Sequence, residues 1–194
     1  MSSTSTSDVG RRDLGGRQTD RVDALVTAAL DELRLNGYDG LTVRNVARRA
    51  GVAPATAYTY FGSKDHLVAE VFWRRLDALP APVVDGRRRA VDRVSEALRE
   101  LALLVHEEPE LAAASTTAIL AQDPDVQRLR DRIGAAFNAR LQAALGPDGD
   151  PAVLRALNLA LAGALLQAGM GYFGYADLAD RMHEVAALVL GGAA

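Results

Sequence analysis

The sequence predicts an all-α fold. Apolar residues recur at helical spacing along most of the chain, and no stretch shows the strict alternation of a strand. Glycine and proline interrupt these periodic stretches and predict where helices end. With 194 residues and 49% hydrophobic composition, the chain is long enough for a small domain and one larger domain, with no long linker between them. We expect a three-helix head joined by a long helix to a C-terminal helical domain, with about nine helices in total.

The N-terminal part divides into a tail and a first helix. Residues 1–18 are rich in Ser, Thr, Gly and Arg and lack apolar periodicity, which predicts a disordered tail. An amphipathic stripe then follows and ends at Asn36 and Gly37. The stripe consists of Val22, Leu25, Val26, Ala29 and Leu33.

Two short helices flank a glycine turn in the next segment. The hydroxyl of Thr42 can cap the first of them, and Gly51 follows its last periodic residue, where a left-handed conformation suits glycine. The first short helix has a single apolar face, formed by Val43, Val46, Ala47 and Ala50.

The second short helix has the features of a recognition helix. Pro54 stands at its first position, and Ala57 and Phe61 face inward. Small residues at the tip would let the backbone approach a groove of DNA. The same helix pair is also common in all-α proteins that do not bind DNA. The other faces carry Thr56, Thr59 and Tyr60, with Tyr58 at the boundary.

Positive charge is concentrated in this segment. Residues 42–64 contain no acidic residue, although the net charge of the chain is −3. A polyanionic partner is therefore expected here rather than elsewhere. For Arg48 and Arg49, a solvated helix face is the alternative to DNA contact. The four basic residues are Arg44, Arg48, Arg49 and Lys64.

The remaining chain predicts one long helix and five more helices. Ser63 can cap the long helix, which extends to Leu79 before Pro80 and Pro82. The five further helices are expected at about residues 86–106, 110–122, 124–145, 151–174 and 177–190.

Many spaced residues of this pattern resemble the TetR family of bacterial transcriptional repressors over about residues 20–70. The resemblance implies a DNA-binding domain at residues 19–66 and a ligand-binding and dimerisation domain at residues 67–194. Three positions, Ala53, Ala55 and Ala57, depart from the family pattern. The matching segments are Gly37-Tyr38, Leu41-Thr42-Val43, Val46-Ala47, Ala50-Gly51-Val52, Tyr58-Thr59-Tyr60-Phe61 and Ser63-Lys64-Asp65.

The resemblance also implies which residues meet DNA. The few polar side chains at the tip of the second short helix would discriminate only weakly between DNA sequences. The chain would therefore bind a palindromic double-stranded operator as a homodimer. Tyr58 could instead be a core aromatic residue with its hydroxyl at the surface. Base edges would be approached by Pro54, Ala55, Thr56 and Thr59. Phosphates would be contacted by Thr42, Arg44, Tyr58, Tyr60 and Lys64.

An uncharged stretch at residues 156–176 has nearly the length of a membrane span. A membrane location is not expected, because the stretch is rich in Ala and Gly, contains Asn158 and Gln167, and lacks flanking basic clusters. By resemblance, this stretch and the last helix form the dimer interface. A buried helix of a single subunit is the alternative.

The resemblance further implies an effector cavity in the C-terminal domain. A mostly apolar wall would suit a hydrophobic or amphipathic small molecule, such as a lipid, an acyl thioester or a drug-like compound. Residues of this kind are more often plain core than ligand contacts, so the candidates form only a pool. The candidates are Leu103, His106, Thr116, Leu120, Phe137, Leu141, Leu166, Gln167, Met170 and Phe173.

Two other function classes were weighed. An enzyme using the C-terminal cavity is disfavoured, because the chain has no cysteine and no glycine-rich phosphate loop. Its histidines, His66, His106 and His183, lack metal-ligand spacing, so neither a metal nor a cofactor is expected. A constitutive architectural DNA binder would need more basic surface. The lack of a signal-like apolar segment near the N-terminus predicts a cytoplasmic protein.

Overall fold

The computed structural model describes residues 6–82 and 85–191, with side chains from residue 18 onward. Over these ranges the chain forms nine α-helices and one short 3-10 turn, Tyr175–Asp177, and contains no strand. The predicted all-α class and helix number are therefore confirmed. The helices are α1 (Thr6–Gly40), α2 (Val43–Arg49), α3 (Pro54–Tyr60), α4 (Lys64–Asp77), α5 (Ala90–Glu107), α6 (Pro109–Ala118), α7 (Pro124–Leu145), α8 (Pro151–Gly169) and α9 (Leu178–Gly191).

Helix α1 begins earlier than the sequence predicted. Residues 6–18 are helical in the structure, where a disordered tail was expected, and residues 1–5 of that tail lie outside the described residues. No proline interrupts residues 6–40, and each glycine costs a helix only about 1 kcal/mol. Near its C-terminal end the helix is broken at Gly37, where the predicted helix end lies, and Gly37 has a positive φ of 64° that suits glycine.

The head consists of α1, α2 and α3 packed around a small apolar core. Helix α2 contacts both α1 and α3, and α1 also contacts α4. The predicted inward residues of the recognition helix, Ala57 and Phe61, are buried. They join one continuous apolar core that extends from Leu25 in the head to Met182 in α9. Head and body therefore share one apolar core.

The body is a layered helical bundle. Helix α4 packs on α6 and α7, while α5 packs on α9 and α7. Helix α8 lies against α9, α7 and α6. The contact between α1 and α6 brings the head directly against the body.

Two polar joints fasten the head to the body. Ser63 caps α4 by accepting from the His66 amide at 3.0 Å, and its hydroxyl donates to Asp123 Oδ2 at 2.8 Å. Asp123 in turn caps α7. At the second joint, between α5 and α6, Glu108 accepts from Arg34 at 2.8 Å and from Arg75 at 3.0 Å.

The start of α5 lies later than residue 86, where the sequence placed it. Asp85 forms a turn in which its carboxylate accepts from the Arg87 amide at 2.9 Å and its carbonyl accepts from the Arg88 amide at 3.1 Å. These bonds hold the backbone outside the helical path. The helix therefore begins at Ala90.

Helices α6 and α8 end earlier than predicted. Helix α6 ends at Ala118 because its last turn tightens through bonds between residues three apart, such as the Ala121 amide to the Ala118 carbonyl at 3.1 Å. Helix α8 ends at Gly169, two residues before Gly171 takes a φ of 81°.

Candidate nucleic-acid interface and internal cavity

The turn between α2 and α3 has the predicted geometry. Thr42 Oγ1 accepts from the Asn45 amide at 3.1 Å and caps α2. Gly51 has a φ of 67°, and the following Val52 amide donates to the Ala47 carbonyl at 2.9 Å. This bond turns the chain sharply, so that α3 starts immediately beyond α2.

Helix α3 presents its first residues to solvent. Ala53 provides no side-chain cap, and Pro54 occupies the first turn. Both Pro54 and Ala55 are exposed, whereas Thr56 is half-buried. The Thr59 hydroxyl donates to the Thr56 carbonyl at 2.6 Å. The tip of α3 is therefore small and accessible.

The nine residues predicted to meet DNA lie on α2, α3 and the residues that cap α2 and begin α4. Tyr58 is 50% exposed and is not a core residue. Tyr60 is half-buried and packs against the core. Of the nine, the exposed residues are Thr42, Arg44, Pro54, Ala55, Tyr58 and Thr59, and the half-buried ones are Thr56, Tyr60 and Lys64.

The four basic side chains of this segment differ in availability. Arg49 Nε donates to Glu32 Oε1 at 2.8 Å, so Arg49 holds α2 to α1 while its side chain remains exposed, as expected for a solvated face. Arg48 is exposed and donates to Asn45 Oδ1 at 3.2 Å. Within the described part of the chain, Arg44 has neither an ion-pair nor a hydrogen-bond partner, which leaves it free for a ligand.

Glu32 is the buried acceptor of this arrangement. Only 4% of the residue is exposed, and its second oxygen accepts from Asn36 Nδ2 at 2.7 Å. The hydrogen bond from Arg49 lowers the pKa of Glu32 below its usual value, against the opposing effect of burial. This pair is not predictable from the sequence, because no local pattern connects residues 17 positions apart.

Lys64 folds back onto the end of α1. Its Nζ donates to the Tyr38 carbonyl at 3.1 Å and lies 4.0 Å from the centroid of the Tyr38 ring. The Tyr38 hydroxyl donates to Asp65. Burial is the larger cause of the raised pKa of Tyr38, and this hydrogen bond is the second. Lys64 has three N–H donors, so the bond to Tyr38 leaves two for another ligand.

A groove of about 410 Å³ runs between α1 and the turn. On the α1 side it is lined by Asp20, Arg21 and Ala24, and on the other side by residues 50–53 and Thr56. The sequence analysis assigned no site role to these α1 residues. Their position beside α3 depends on how α1 packs, which periodicity does not specify.

The body contains a separate, smaller cavity of about 80 Å³ between α4, α5, α6, α7, α8 and the segment after α8. Its lining is mostly apolar, and its polar groups are hydroxyls. The lining residues are Phe72, Val105, Ala112, Ser115, Thr116, Ile119, Ile133, Phe137, Leu165 and Tyr175.

Of the ten predicted effector residues, Thr116 and Phe137 line this cavity and eight do not. Leu141 is buried in the core outside the lining, and Phe173 is half-buried under the guanidinium of Arg181. The other six lie on the outer surface of the chain, because they fall on the opposite faces of their helices. These six are Leu103, His106, Leu120, Leu166, Gln167 and Met170.

The hydroxyls that line the cavity differ in whether they have a hydrogen-bond partner in the protein. Thr116 Oγ1 donates to the Ala112 carbonyl at 3.0 Å. The Ser115 Oγ and the Tyr175 hydroxyl are buried and lack a hydrogen-bond partner in the protein. Burial raises the pKa of Tyr175, which the neighbouring Thr116 partly offsets. Behind Thr116 stands Gly169, where a Cβ atom would lie 2.5 Å from Thr116 Oγ1.

Helices α8 and α9 expose large apolar side chains. Leu159 of α8 is 75% exposed and Leu188 of α9 is 77% exposed. Among the described helices, α8 is the one that is long and apolar enough to cross a membrane by length and composition, a test that core helices of soluble proteins also pass. Only 22% of the tested window is buried. An apolar face of this kind marks an interaction surface.

Known proteins resemble this chain both in the head and over most of its length. Residues 25–71 match the family described as bacterial regulatory proteins, tetR family. An uncharacterised HTH-type transcriptional regulator of Mycobacterium tuberculosis is 48% identical over 179 residues, which cover 91% of this chain and 84% of that protein. The HTH-type transcriptional repressor KstR of Rhodococcus jostii is 28% identical over 157 residues, covering 77% of this chain and 71% of that repressor.

Solved structures share the fold at lower sequence identity. A TetR transcriptional regulator from Rhodococcus sp. RHA1 has a TM-score of 0.72 and 22% identity, covering 91% of this chain and 98% of that one. The regulator FadR from Bacillus subtilis, in complex with stearoyl-CoA, has a TM-score of 0.58 and 16% identity, covering 87% and 97%. Together with the geometry of α2 and α3, these similarities show that the chain belongs to the TetR family and is a DNA-binding transcriptional regulator of the helix-turn-helix type.

Proposed function

We propose that this regulator is a ligand-responsive repressor that binds a palindromic operator as a homodimer in the bacterial cytoplasm. A hydrophobic or amphipathic small molecule in the internal cavity would release it from DNA. The observation that carries the proposal is the accessible tip of α3 beside a free Arg44. The relative KstR is itself described as a transcriptional repressor.

The DNA contacts divide into positioning and reading. Thr42, Arg44 and Tyr58 would bind phosphates, because they are exposed around α2 and α3. Tyr60 and Lys64 would add phosphate contacts at the edge of this surface. Base edges would be read by Pro54, Ala55, Thr56 and Thr59, whose small side chains favour contacts with thymine methyl groups and single hydroxyl bonds.

The exposed apolar surface of α8 and α9 supports the homodimer. A second copy of the chain would bury Leu159 and Leu188, which remain exposed on a single chain. Pairing of two heads at a fixed spacing would supply the specificity that one small α3 tip lacks. The operator would then be palindromic, since the two heads are related by a two-fold axis.

The position of the cavity supports release by a ligand. Its lining includes Phe72 of α4 and Ala112 of α6, and these two helices also contact α1 of the head. A ligand that binds better to the conformation with the heads apart would shift the population away from the DNA-bound one. The structural neighbour FadR is described with a stearoyl-CoA ligand, an amphipathic molecule.

Selection of bound duplexes from a random DNA library, at near-physiological salt, tests the DNA part of the proposal. We expect a palindrome from the unaltered protein. Thr56→Ala should change the preferred bases, whereas Tyr58→Phe should weaken all duplexes to a similar extent. Tyr172→Phe is the matched control, because Tyr172 is 76% exposed and lies after α8, outside the head. Failure to enrich any sequence with folded protein would contradict the proposal.

A charged residue introduced on the exposed face of α8 tests whether the dimer forms through this surface. Leu159→Glu should yield monomers in analytical ultracentrifugation and remove the preference for two half-sites. Leu120→Glu is the control, because Leu120 is 61% exposed just after α6 and does not belong to α8 or α9. If Leu159→Glu remains as dimeric as the control, the dimer does not form through this surface.

A further inference from the structure

The polar atoms of the internal cavity are hydroxyls, and the ten lining residues include no charged side chain. The Thr116 hydroxyl donates its proton to the Ala112 carbonyl. Ser115 is 6% exposed, and its Oγ has no protein partner. The Tyr175 hydroxyl is buried and makes no hydrogen bond of good geometry, although it lies close enough to the Thr116 side chain for that group to lower its pKa. Two donors in one apolar cavity are therefore available to a ligand.

Buried hydroxyls without partners are uncommon in proteins, because each gives up its bonds to water on burial. The Ser115 and Tyr175 hydroxyls come from different parts of the chain, α6 and the 3-10 turn before α9, yet both belong to the lining of one cavity. Each of them can donate a hydrogen bond to an acceptor oxygen of a molecule in the cavity. Their placement points to a ligand that carries such an oxygen.

The absence of charge in this lining disfavours a ligand that buries an anionic group there. A carboxylate or phosphate that entered would lose its hydration and meet no cation among the lining residues. A neutral carbonyl loses much less hydration and gains the two hydroxyl bonds. Burial keeps the Tyr175 phenol protonated, since it raises the pKa, so the phenol remains a donor at neutral pH.

We infer that the effector is an uncharged, mainly apolar molecule whose carbonyl oxygen accepts hydrogen bonds from Ser115 and Tyr175. This inference rests on the proposed ligand-responsive function and narrows its ligand class to ketones, esters, lactones and similar neutral carbonyl compounds. Free fatty acids and acyl-CoA thioesters fall outside that class, because they bring a carboxylate or phosphates.

Three probes of nearly equal size test the inference: acetophenone, cumene and benzoate. Dissociation constants for the full chain are measured by NMR titration. Acetophenone should bind at least about tenfold more tightly than benzoate. Tyr175→Phe and Ser115→Ala should each weaken acetophenone about three- to tenfold and leave cumene unchanged, because each removes one hydrogen bond and little volume.

Thermal unfolding without ligand gives a second, independent readout. A hydroxyl that serves only a ligand contributes nothing to the free protein, so Tyr175→Phe should leave Tm unchanged or raise it. Tyr38→Phe is the matched control, because the Tyr38 hydroxyl donates to Asp65 within the protein. That variant should lower Tm.

The inference is overturned if benzoate binds as tightly as acetophenone, if none of the probes binds, or if Tyr175→Phe leaves the acetophenone affinity unchanged. A lower Tm for Tyr175→Phe also overturns it, since the hydroxyl would then be structural. The operator selection is run on the same protein. If a palindrome is selected but benzoate binds better than acetophenone, only the inference of a neutral ligand is wrong. If no sequence is selected, the proposed function itself is wrong.

Discussion

The hydroxyl of Ser63 donates to Asp123 Oδ2 at 2.8 Å, although the two residues are 60 positions apart and each caps a different helix. Ser63 accepts from the His66 amide, and Asp123 Oδ1 accepts from the Asp125 amide at 2.8 Å. The start of α4, which leaves the head, is thereby bonded to the start of α7 in the body. Two helix caps and one long-range hydrogen bond are thus formed by the Ser63 hydroxyl, the Asp123 carboxylate and the amides of His66 and Asp125.

Breaking this joint should cost more than breaking an ordinary cap. We expect Asp123→Ala to lower the free energy of unfolding by about 2 kcal/mol, because α7 loses its cap and Ser63 loses its acceptor. Asp150→Ala is the control, since Asp150 caps α8 through the Ala152 amide alone and should cost about 1 kcal/mol. Urea denaturation of both variants measures the difference.

A double-mutant cycle with Ser63→Ala isolates the bond between the two caps. The coupling energy of Ser63→Ala and Asp123→Ala should be at least about 0.5 kcal/mol. Additive losses would show that the two caps act independently.

The pair of Glu32 and Arg49 should make stability depend on pH. Because the folded pKa of Glu32 is lowered, its ionisation stabilises the fold above the unfolded value of about 4.3, and this contribution is lost as the pH falls through the lower folded pKa. Glu32→Gln should therefore destabilise the protein at pH 7, by about 1–3 kcal/mol, and much less at pH 3. Asp31→Asn, at a more exposed carboxylate, is the control. Denaturation curves of both variants across this pH range test the prediction. It is wrong if Glu32→Gln and Asp31→Asn change stability with the same pH dependence.

Arg44 should contribute charge rather than sequence information to DNA binding. Arg44→Ala should weaken every duplex to a similar extent and reduce the slope of log affinity against log salt by about 1. Arg87→Ala, at an exposed arginine before α5, should leave the slope unchanged. Fluorescence anisotropy at several salt concentrations gives both slopes. A change in the selected sequence would instead assign Arg44 to base reading.

Gly51 and Gly134 should respond in opposite directions to alanine. Neither has an atom within 4 Å of an added Cβ, so crowding is not the cause. Gly51 has a φ of 67°, and Gly51→Ala should cost about 1–2 kcal/mol through backbone strain. Gly134 lies inside α7, where Gly134→Ala should add about 0.5–1 kcal/mol of stability. Thermal or urea unfolding measures both; a neutral Gly51→Ala would mean that the turn relaxes.

Local signals made most of the head predictable. The cap at Thr42, the left-handed Gly51 and the first-turn Pro54 each act within a few residues, and the structure has all three. The helix start at Ala90 was misplaced because the Asp85 turn competes with a sequence that can also be helical. Local propensity alone does not decide between the two conformations.

Tertiary packing decided the features that sequence patterns did not predict. The buried partner of Arg49 lies on another helix, so the sequence did not reveal their ion pair. The cavity shows the same limit. Periodicity identifies apolar faces of helices but does not distinguish the face toward an internal space from one that a second chain could cover, as Leu166 and Met170 illustrate.

Gly169 lies outside the cavity lining, yet it limits how far Thr116 can retreat from the cavity. Any side chain larger than hydrogen at position 169 would push the Thr116 hydroxyl and methyl groups forward, since an added Cβ would overlap both. The usable volume is thus set partly by a residue that no bound molecule touches. Under the proposed ligand-responsive function, relatives that differ at this position would accept compounds of different size while keeping every lining residue identical.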